Sequence, residues 1–348
     1  MPLVSIHQWP QPIEAGRLSI LEAALEAGVP YPHGCASGEC GGCKTQLLSG
    51  DVTMDAYSAD ALSDDERASR VILACRAKPT CDVQVRWLSV VAPLPVVKFK
   101  AAVLDLRALA HDVMALTLAI PDGVRMSFRP GQFAKLRVGK LAPRSYSMAN
   151  QPGQGQLEFH LRVVPNGAMS EFVAKQLKTG DSVEVQAPFG DAAWDNERPP
   201  ASAPLLLLAG GTGLAPMLSV LDAALSAGVS GHQIHLYHGV RAERDAYATQ
   251  QLAGRIQDHG FRFVQVFSDG VAGQQRRGFL HHAVGEDFGC LAAARIYAAG
   301  PPPMVDAVKE LALQRGAATH SIRADAFYAA QPLKVGLWER ISGWGSLN

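Results

Sequence analysis

Three cysteines crowd one glycine-rich stretch, HGCASGECGGCK at 33–44, where Cys35, Cys40 and Cys43 follow the spacing C-x4-C-x2-C. A fourth, Cys75, comes after 31 intervening residues, behind the apolar run VILA. Four thiolates at this spacing match the plant-type ligand set of a [2Fe–2S] cluster. Such a loop must wrap closely enough for backbone N–H groups to point at the sulfurs. Gly34, Gly38, Gly41 and Gly42 remove the side chains that would block that approach. Zinc is the alternative, but structural zinc sites usually present two short Cys-x2–4-Cys hooks. Here the second hook is missing, because Cys75 and Cys81 are six apart. Cys81, beyond Pro79, is the weaker rival to Cys75 as fourth ligand. Cys81 and Cys290 read as small apolar core residues.

Two other kinds of stretch hold residue types that bind flavin and phosphate. Arg144-Ser145-Tyr146-Ser147 lies in the strand-like segment GQFAKLRVGKLAPRSYSMAN at 131–150, and its Arg, Tyr and Ser are expected at alternate steps on one face. An arginine there neutralises a pyrophosphate, a tyrosine ring lies on an isoalloxazine, and a serine hydroxyl reaches the flavin nitrogen edge. A structural strand with a rim arginine would look similar. Downstream, GAMS at 167–170 is a glycine turn opening the helix SEFVAKQL, where free N–H groups and a positive dipole end suit phosphate. PFG at 188–190 adds a tight turn.

AGGTGLAP at 209–216 follows a buried apolar strand and opens a helix, so its backbone N–H groups can cradle a diphosphate. Gly211, Gly213 and Pro216 occupy the places of G-x-G-x-x-G, so the third glycine of the ordinary dinucleotide fingerprint is absent. Pro216 fits a first helical position, where its missing N–H costs nothing. AAGPPPMVDAV at 298–308 supplies a second glycine turn at a strand end. After the strand IHLYHGV comes Arg241-Ala242-Glu243-Arg244-Asp245. Acidic residues there favour a free ribose hydroxyl and arginines a 2′-phosphate, and this stretch has both.

The elements that must position these groups fall into successive segments. Residues 1–92 begin with a short alternating strand (Leu3, Ser5, His7), continue through the amphipathic helix SILEAALEAG closed by Gly28, and end on the strand DVQVRWLSV at 82–90. The proline-containing VAPLPVVK at 91–98 suits an extended linker. From 98 to 200 the runs AKLRV, LEFHLRVV and SVEVQAP predict an antiparallel β-barrel. From 201 to 330 strands alternate with helices, as in a parallel α/β domain. The fold class expected is therefore multidomain, α+β and α/β. A C-terminal extension occupies 331–348, where Leu337, Trp338, Ile341 and Trp344 form a rough helical stripe expected to pack on the protein's own surface.

Composition excludes several classes. Lys plus Arg number 32 and Asp plus Glu 32, so no polycationic surface for nucleic acid is expected. The N-terminus lacks the pattern of a secretory signal. The longest apolar run, PLLLLA at 204–209, falls far short of the ~20 residues that span a bilayer. No membrane partner and a cytoplasmic location are expected.

Together, C-ASGE-C-GG-C with Cys75, R-S-Y-S, G-A-M-S, G-G-T-G-L-A-P and A-G-P-P-P-M resemble the NADH-dependent reductase components of bacterial multicomponent oxygenases, of the benzoate dioxygenase and methane monooxygenase reductase type. The resemblance runs from residue 1 to about 328. It implies a β-grasp [2Fe–2S] ferredoxin domain fused to a ferredoxin–NADP reductase-like FAD and NAD module. It also implies that Arg144 contacts the flavin phosphates, Tyr146 stacks on the isoalloxazine and Ser147 sits near its N5. Ser145, His160, Arg162, Gly167, Met169 and Ser170 join the FAD-contact set. Gly210, Gly211, Thr212, Gly213 and Arg241 are implied for the nicotinamide dinucleotide, with Gly300, Pro301 and Pro302 on the nicotinamide side. Three departures stand out: Ala299 where the family often has Cys, Asp325 two residues before Phe327 where many members have Glu, and the extra C-terminal residues.

NADH gives two electrons as a hydride, and an iron–sulfur cluster accepts one at a time. A flavin between them converts pairs to singles, with the protein setting distance and orientation. The expected function is electron transfer from NADH through FAD and a [2Fe–2S] cluster to a terminal oxygenase, a Rieske-type aromatic-ring dioxygenase. One alternative is a di-iron or haem monooxygenase as acceptor. Another, of a different class, is a redox-sensing iron–sulfur protein.

Overall fold

The computed structural model describes the chain except residues 35, 37, 39, 40, 60, 90–93, 197, 270–275 and 329–348. Cys35, Cys40 and the stripe of the C-terminal extension therefore lie outside the described residues. Residues 1–95 build one compact unit; 96–188 with 192–327 build another.

The first unit is a mixed five-stranded sheet gripping one helix, a β-grasp. Its strands run in the order Ile13–Glu14, Leu3–Ile6, Val83–Trp87, Lys44–Ser49, Val71–Leu73. The first strand has the expected alternation, burying Val4 and Ile6 while Leu3 and His7 stay exposed. Period-two alternation leaves the two faces to be chosen by the β-branched pair, which lies beside Val83 and Val85. Helix Ile20–Glu26 starts at a reciprocal capping box. Ser19 Oγ accepts from Glu22 N–H and the Glu22 carboxylate accepts from Ser19 N–H. Its Ile20, Leu21, Ala23 and Ala24 face the core, and Gly28 leaves the helix at φ +77°.

The second unit holds two sheets. The barrel sheet orders its strands Arg144–Ser147, Phe133–Arg137, Ser182–Phe189, Val97–Ala110, Val113–Ala119, Gln156–Arg162. An antiparallel bridge between Met148 and Phe159 joins its two edges and closes the barrel. The second sheet is parallel throughout: Arg276–Arg277, Arg262–Phe267, Ile234–Val240, Leu205–Gly210, Arg295–Gly300, Ile322–Ala326. Its central strand explains the uninterrupted Leu205–Leu208 run. Leu205, Leu207 and Ala209 pack in one cluster with the helix Leu214–Ser226, while Leu206 and Leu208 pack in another with Leu280 and Val308. A strand covered on both faces has no polar side to show.

Two expectations need correction. Pro216 is the third residue of the helix Leu214–Ser226, not the first, because the turn Gly211–Gly213 winds before it. It is tolerated because all of the first four helical N–H groups lack intrahelical acceptors. Cys81 and Cys290 are exposed rather than core residues. Both stand in connections just outside regular elements, and Cys81 Sγ accepts from Asp51 N–H at 3.3 Å. Among the described residues, no helix is long and apolar enough to cross a membrane.

Candidate functional site

Cys43 and Cys75 are buried, unbridged, and 3.2 Å apart at their sulfurs. They are tied through the main chain: Ala74 N–H donates to the Cys43 carbonyl at 3.1 Å. Thr45 Oγ1 donates to the same carbonyl at 3.0 Å and meets the Tyr31 hydroxyl at 2.7 Å. Burial raises the pKa of Tyr31, so that phenol stays protonated. The surrounding loop requires its glycines. Gly38 has φ +84°, and a Cβ there would come 2.9 Å from Arg76 Cγ and 3.0 Å from Tyr57 Cβ. Gly41 has φ +72° and would bring a Cβ 3.1 Å from the Ala61 carbonyl oxygen. Two convergent buried thiols beside a tightly wrapped glycine loop fit a thiolate-held cluster.

The strand Arg144–Ser147 pairs antiparallel with Phe133–Arg137, Tyr146 opposite Ala134 and Ser147 opposite Phe133. Strand alternation places Arg144 and Tyr146 on one face and Ser145 and Ser147 on the other, so Ser147 does not share the face expected of it. Arg144 donates to its neighbour, the Pro143 carbonyl, and no carboxylate among the described residues pairs with it. That leaves a cation available for a phosphate. Burial pushes the Tyr146 pKa up to about 12, against the opposing pull of Arg144.

Ser147 is buried, and its Oγ donates to Asp325 Oδ2 at 3.4 Å. Asp325 lies on the outermost strand opposite Ala299, and Phe327 N–H donates to the Gly300 carbonyl at 2.8 Å. Ser147, Asp325, Phe327 and Gly300 are thus brought together from three remote parts of the chain.

The glycine turns meet at the point where strand order reverses, between Leu205–Gly210 and Arg295–Gly300. This is where open α/β sheets hold ligands, at the carboxyl ends of the strands. Close approach, not conformation, fixes Gly213: its φ is −58°, but a Cβ would fall 1.9 Å from the Ala299 carbonyl oxygen. Gly300 has φ +148°, and a Cβ there would meet Gly210 Cα at 2.9 Å. Thr212 lies inside the turn Gly211–Gly213. Pro301 caps the helix Pro302–Gln314, and Pro302 takes its first position.

Other candidates have protein partners. Gly167 caps the helix Ala168–Lys175, where a Cβ would meet Ser170 Oγ at 2.6 Å. Ser170 Oγ accepts from Val164 N–H and donates to the Gly167 carbonyl, so it shapes this turn. The Met169 side chain is buried in the barrel core. His160 is buried with Nδ1 3.2 Å from the Tyr247 hydroxyl, and Arg162 Nε donates to Asp112 at 2.8 Å. Arg241 is exposed, 4.0 Å from Asp245.

The sequence reading missed His238, fully buried, whose Nε2 lies 3.1 Å from the Gly211 carbonyl oxygen. Its ring and that of His160 both meet Tyr247 edge-on, at 5.3 and 5.4 Å. The available signal was a second histidine, after His235, in the strand IHLYHGV that ends beside the glycine turn.

Comparison with known proteins agrees with this arrangement. The chain matches the 2Fe-2S iron-sulfur cluster binding domain over residues 8–80, the oxidoreductase FAD-binding domain over 100–194 and the oxidoreductase NAD-binding domain over 207–310. It is 36% identical to the reductase subunit of an aromatic O-demethylase from Amycolatopsis sp., covering 90% of this chain and 94% of the relative. It is 33% identical to the ferredoxin–NAD(P)+ reductase component of the naphthalene 1,2-dioxygenase system of Pseudomonas putida, covering 91% and 95%. Among solved structures it resembles the Amycolatopsis cytochrome P-450 reductase GcoB, with TM-score 0.78 and 34% identity over 95% of this chain and all of that one. The ferredoxin reductase of carbazole 1,9a-dioxygenase follows with TM-score 0.70 and 30% identity, over 94% of this chain and 98% of that one. With cysteine loop, barrel and switch-point turns in the same order along its length, the chain belongs to the family of iron–sulfur flavoprotein NAD(P)H oxidoreductases that serve as reductase components of oxygenase systems.

Proposed function

We propose that this chain takes electrons from NADH and delivers them singly to the terminal oxygenase of a Rieske-type aromatic-ring dioxygenase system, in the cytoplasm. The observation that carries the reading is the meeting of Ser147 with Asp325 and of Phe327 with Gly300, in which the flavin-type strand reaches the carboxyl edge of the nucleotide-type sheet. Arg144 would neutralise the FAD pyrophosphate, Tyr146 would cover the isoalloxazine, and Gly167 and Ser170 would shape the turn beside the phosphates. Gly210, Gly211, Thr212 and Gly213, with Gly300, Pro301 and Pro302, would hold the dinucleotide against them. Cys35, Cys40, Cys43 and Cys75 would hold the cluster. When bound, FAD supplies the conversion of a hydride's electron pair into single electrons, and the cluster supplies their exit. The protein's own residues orient and exclude water; hydride transfer needs alignment more than a general base.

Arg241 stands beside the Asp245 carboxylate, at 4.0 Å, which lessens its pull on a 2′-phosphate and supports NADH over NADPH. A second reading, a haem monooxygenase as acceptor, is favoured by the similarity to GcoB. Anaerobic stopped-flow mixing with each nucleotide tests the donor. Faster bleaching by NADH at equal concentration is expected, and equal or faster bleaching by NADPH refutes the preference. Product formation with a purified Rieske dioxygenase, a haem monooxygenase or a di-iron monooxygenase then tests the acceptor. Turnover with either of the last two and none with the first overturns the Rieske assignment.

A further inference from the structure

The larger unit gathers three ligand-type side chains outside the flavin and cluster sites. His111 and Asp112 form the turn between the strands Val97–Ala110 and Val113–Ala119, and Asp245 ends the short turn Glu243–Asp245. One donor atom from each lies within 4.8 Å of the others. His111 Nδ1 is 3.7 Å from Asp112 Oδ1, 3.6 Å from Asp245 Oδ1 and 3.1 Å from the Arg244 carbonyl oxygen.

Each carboxylate has one oxygen committed and one turned toward His111. Asp112 Oδ2 accepts from Arg162 Nε at 2.8 Å, and Asp245 Oδ2 accepts from Ala242 N–H at 2.9 Å. Asp245 is only 7% exposed, and its Oδ1 is buried with no hydrogen-bond partner. The His111 contact is too long to count as one. A buried carboxylate oxygen left without a partner is costly unless something else takes its charge.

We propose that His111 Nδ1, Asp112 Oδ1, Asp245 Oδ1 and the Arg244 carbonyl form a site for one divalent cation of the zinc or manganese class. An ion about 2.1 Å from each donor needs neighbouring donors roughly 3.0–3.4 Å apart, depending on octahedral or tetrahedral geometry. The separations from Nδ1 are 3.1–3.7 Å and the three side-chain donors lie within 4.8 Å of one another, so the carboxylates must rotate inward to close on an ion. One imidazole with oxygen donors suits these ions, and no thiolate is present to select softer ones. Arg162 and the Ala242 N–H are the outer partners that ligating carboxylates generally have. The cation ties the barrel's first hairpin to the connection after the strand Ile234–Val240, near the His160–Tyr247 contact. Arg162 and Arg241 offset the two carboxylates, so long-range attraction is small and micromolar affinity is expected.

The test is calorimetric titration of Zn2+ into the full-length holoprotein. The wild type should bind one equivalent, with affinity weakened at least roughly tenfold in His111→Ala and in Asp112→Asn. A double variant His281→Ala/His282→Ala, which removes an imidazole pair elsewhere in the unit (4.1 Å between rings), should bind as the wild type does. The melting temperature should climb with the logarithm of Zn2+ concentration in the wild type but not in His111→Ala. Unchanged FAD content and NADH–ferricyanide turnover in His111→Ala show that it has folded. A measurement needing no variant is carbethoxylation of His111, read by mass spectrometry, which saturating Zn2+ should suppress. The proposal fails if the wild type binds no Zn2+ below about 100 μM, if His111→Ala retains the site, if the double variant loses it, or if His111 reacts equally with Zn2+ present.

Discussion

Replacing His238 asks whether the nucleotide turn is held from behind. Its Nδ1 is buried without a partner, so the ring's one proton belongs on Nε2, donating to the Gly211 carbonyl at 3.1 Å. Burial pushes the pKa down to about 4, opposed by the Gly211 hydrogen bond and aided by His160, so the ring is neutral near pH 7. His238→Phe keeps a ring and removes the donor. A hydrogen bond of this kind contributes about 0.5–1.5 kcal/mol net. If the turn's binding-competent arrangement loses that much, apparent nucleotide affinity falls roughly 2- to 13-fold. KM for NADH in the ferricyanide assay should rise by that factor, with kcat nearly unchanged and FAD content intact. His238→Gln, whose amide N–H can reach the same carbonyl, should recover most of the loss. A fall in kcat at constant KM, or a Gln variant no better than Phe, refutes the positioning role.

The same histidine carries a pH dependence whose sign follows from its depressed pKa. Above the unfolded value of 6.5 the ring is neutral in both states, and its contribution is complete. As pH falls from 6.5 toward 4, the unfolded chain takes up a proton that the folded chain refuses, so stability is lost progressively. Across that interval the loss approaches about 3 kcal/mol. His238→Phe should therefore show a shallower fall in melting temperature over this range than the wild type. Parallel curves contradict the assigned burial of a neutral ring.

Gly213→Ala should raise KM for NADH at least about tenfold while leaving FAD bound, because the new Cβ meets the Ala299 backbone at 1.9 Å and no flexible side chain can yield; an unaltered KM refutes the close approach. Cys75→Ser should abolish cytochrome c reduction through the cluster and preserve NADH–ferricyanide turnover through the flavin, and loss of both contradicts the order of carriers. Tyr146→Ala should weaken FAD retention on gel filtration, since aromatic stacking is worth about 0.5–1.5 kcal/mol beyond area burial; full flavin occupancy argues against stacking.

What could be read from sequence, and what could not, divides by distance along the chain. Cys35, Cys40 and Cys43 announce a cluster because its loop is local, and the turn at Gly210–Gly213 is legible because one strand end and one helix start make it. The same locality made Ser147 misleading. Residue type groups it with Arg144 and Tyr146, whereas alternation along the strand puts it on the face opposite Tyr146. The habits of cysteine point Cys81 and Cys290 to the core, although their positions in connections decide exposure. The contacts that make one site of several motifs have no local signature. Ser147 and Asp325 are 178 residues apart, and His238 and Gly211 are 27 apart. Such contacts arise only when the parallel sheet is ordered with Leu205–Gly210 beside Arg295–Gly300 and the barrel edge meets its last strand. Local rules can therefore say which cofactors a chain suits, whereas the contacts that join their sites fall to side chains such as buried His238 and half-buried Asp325, whose partners only the folded chain supplies.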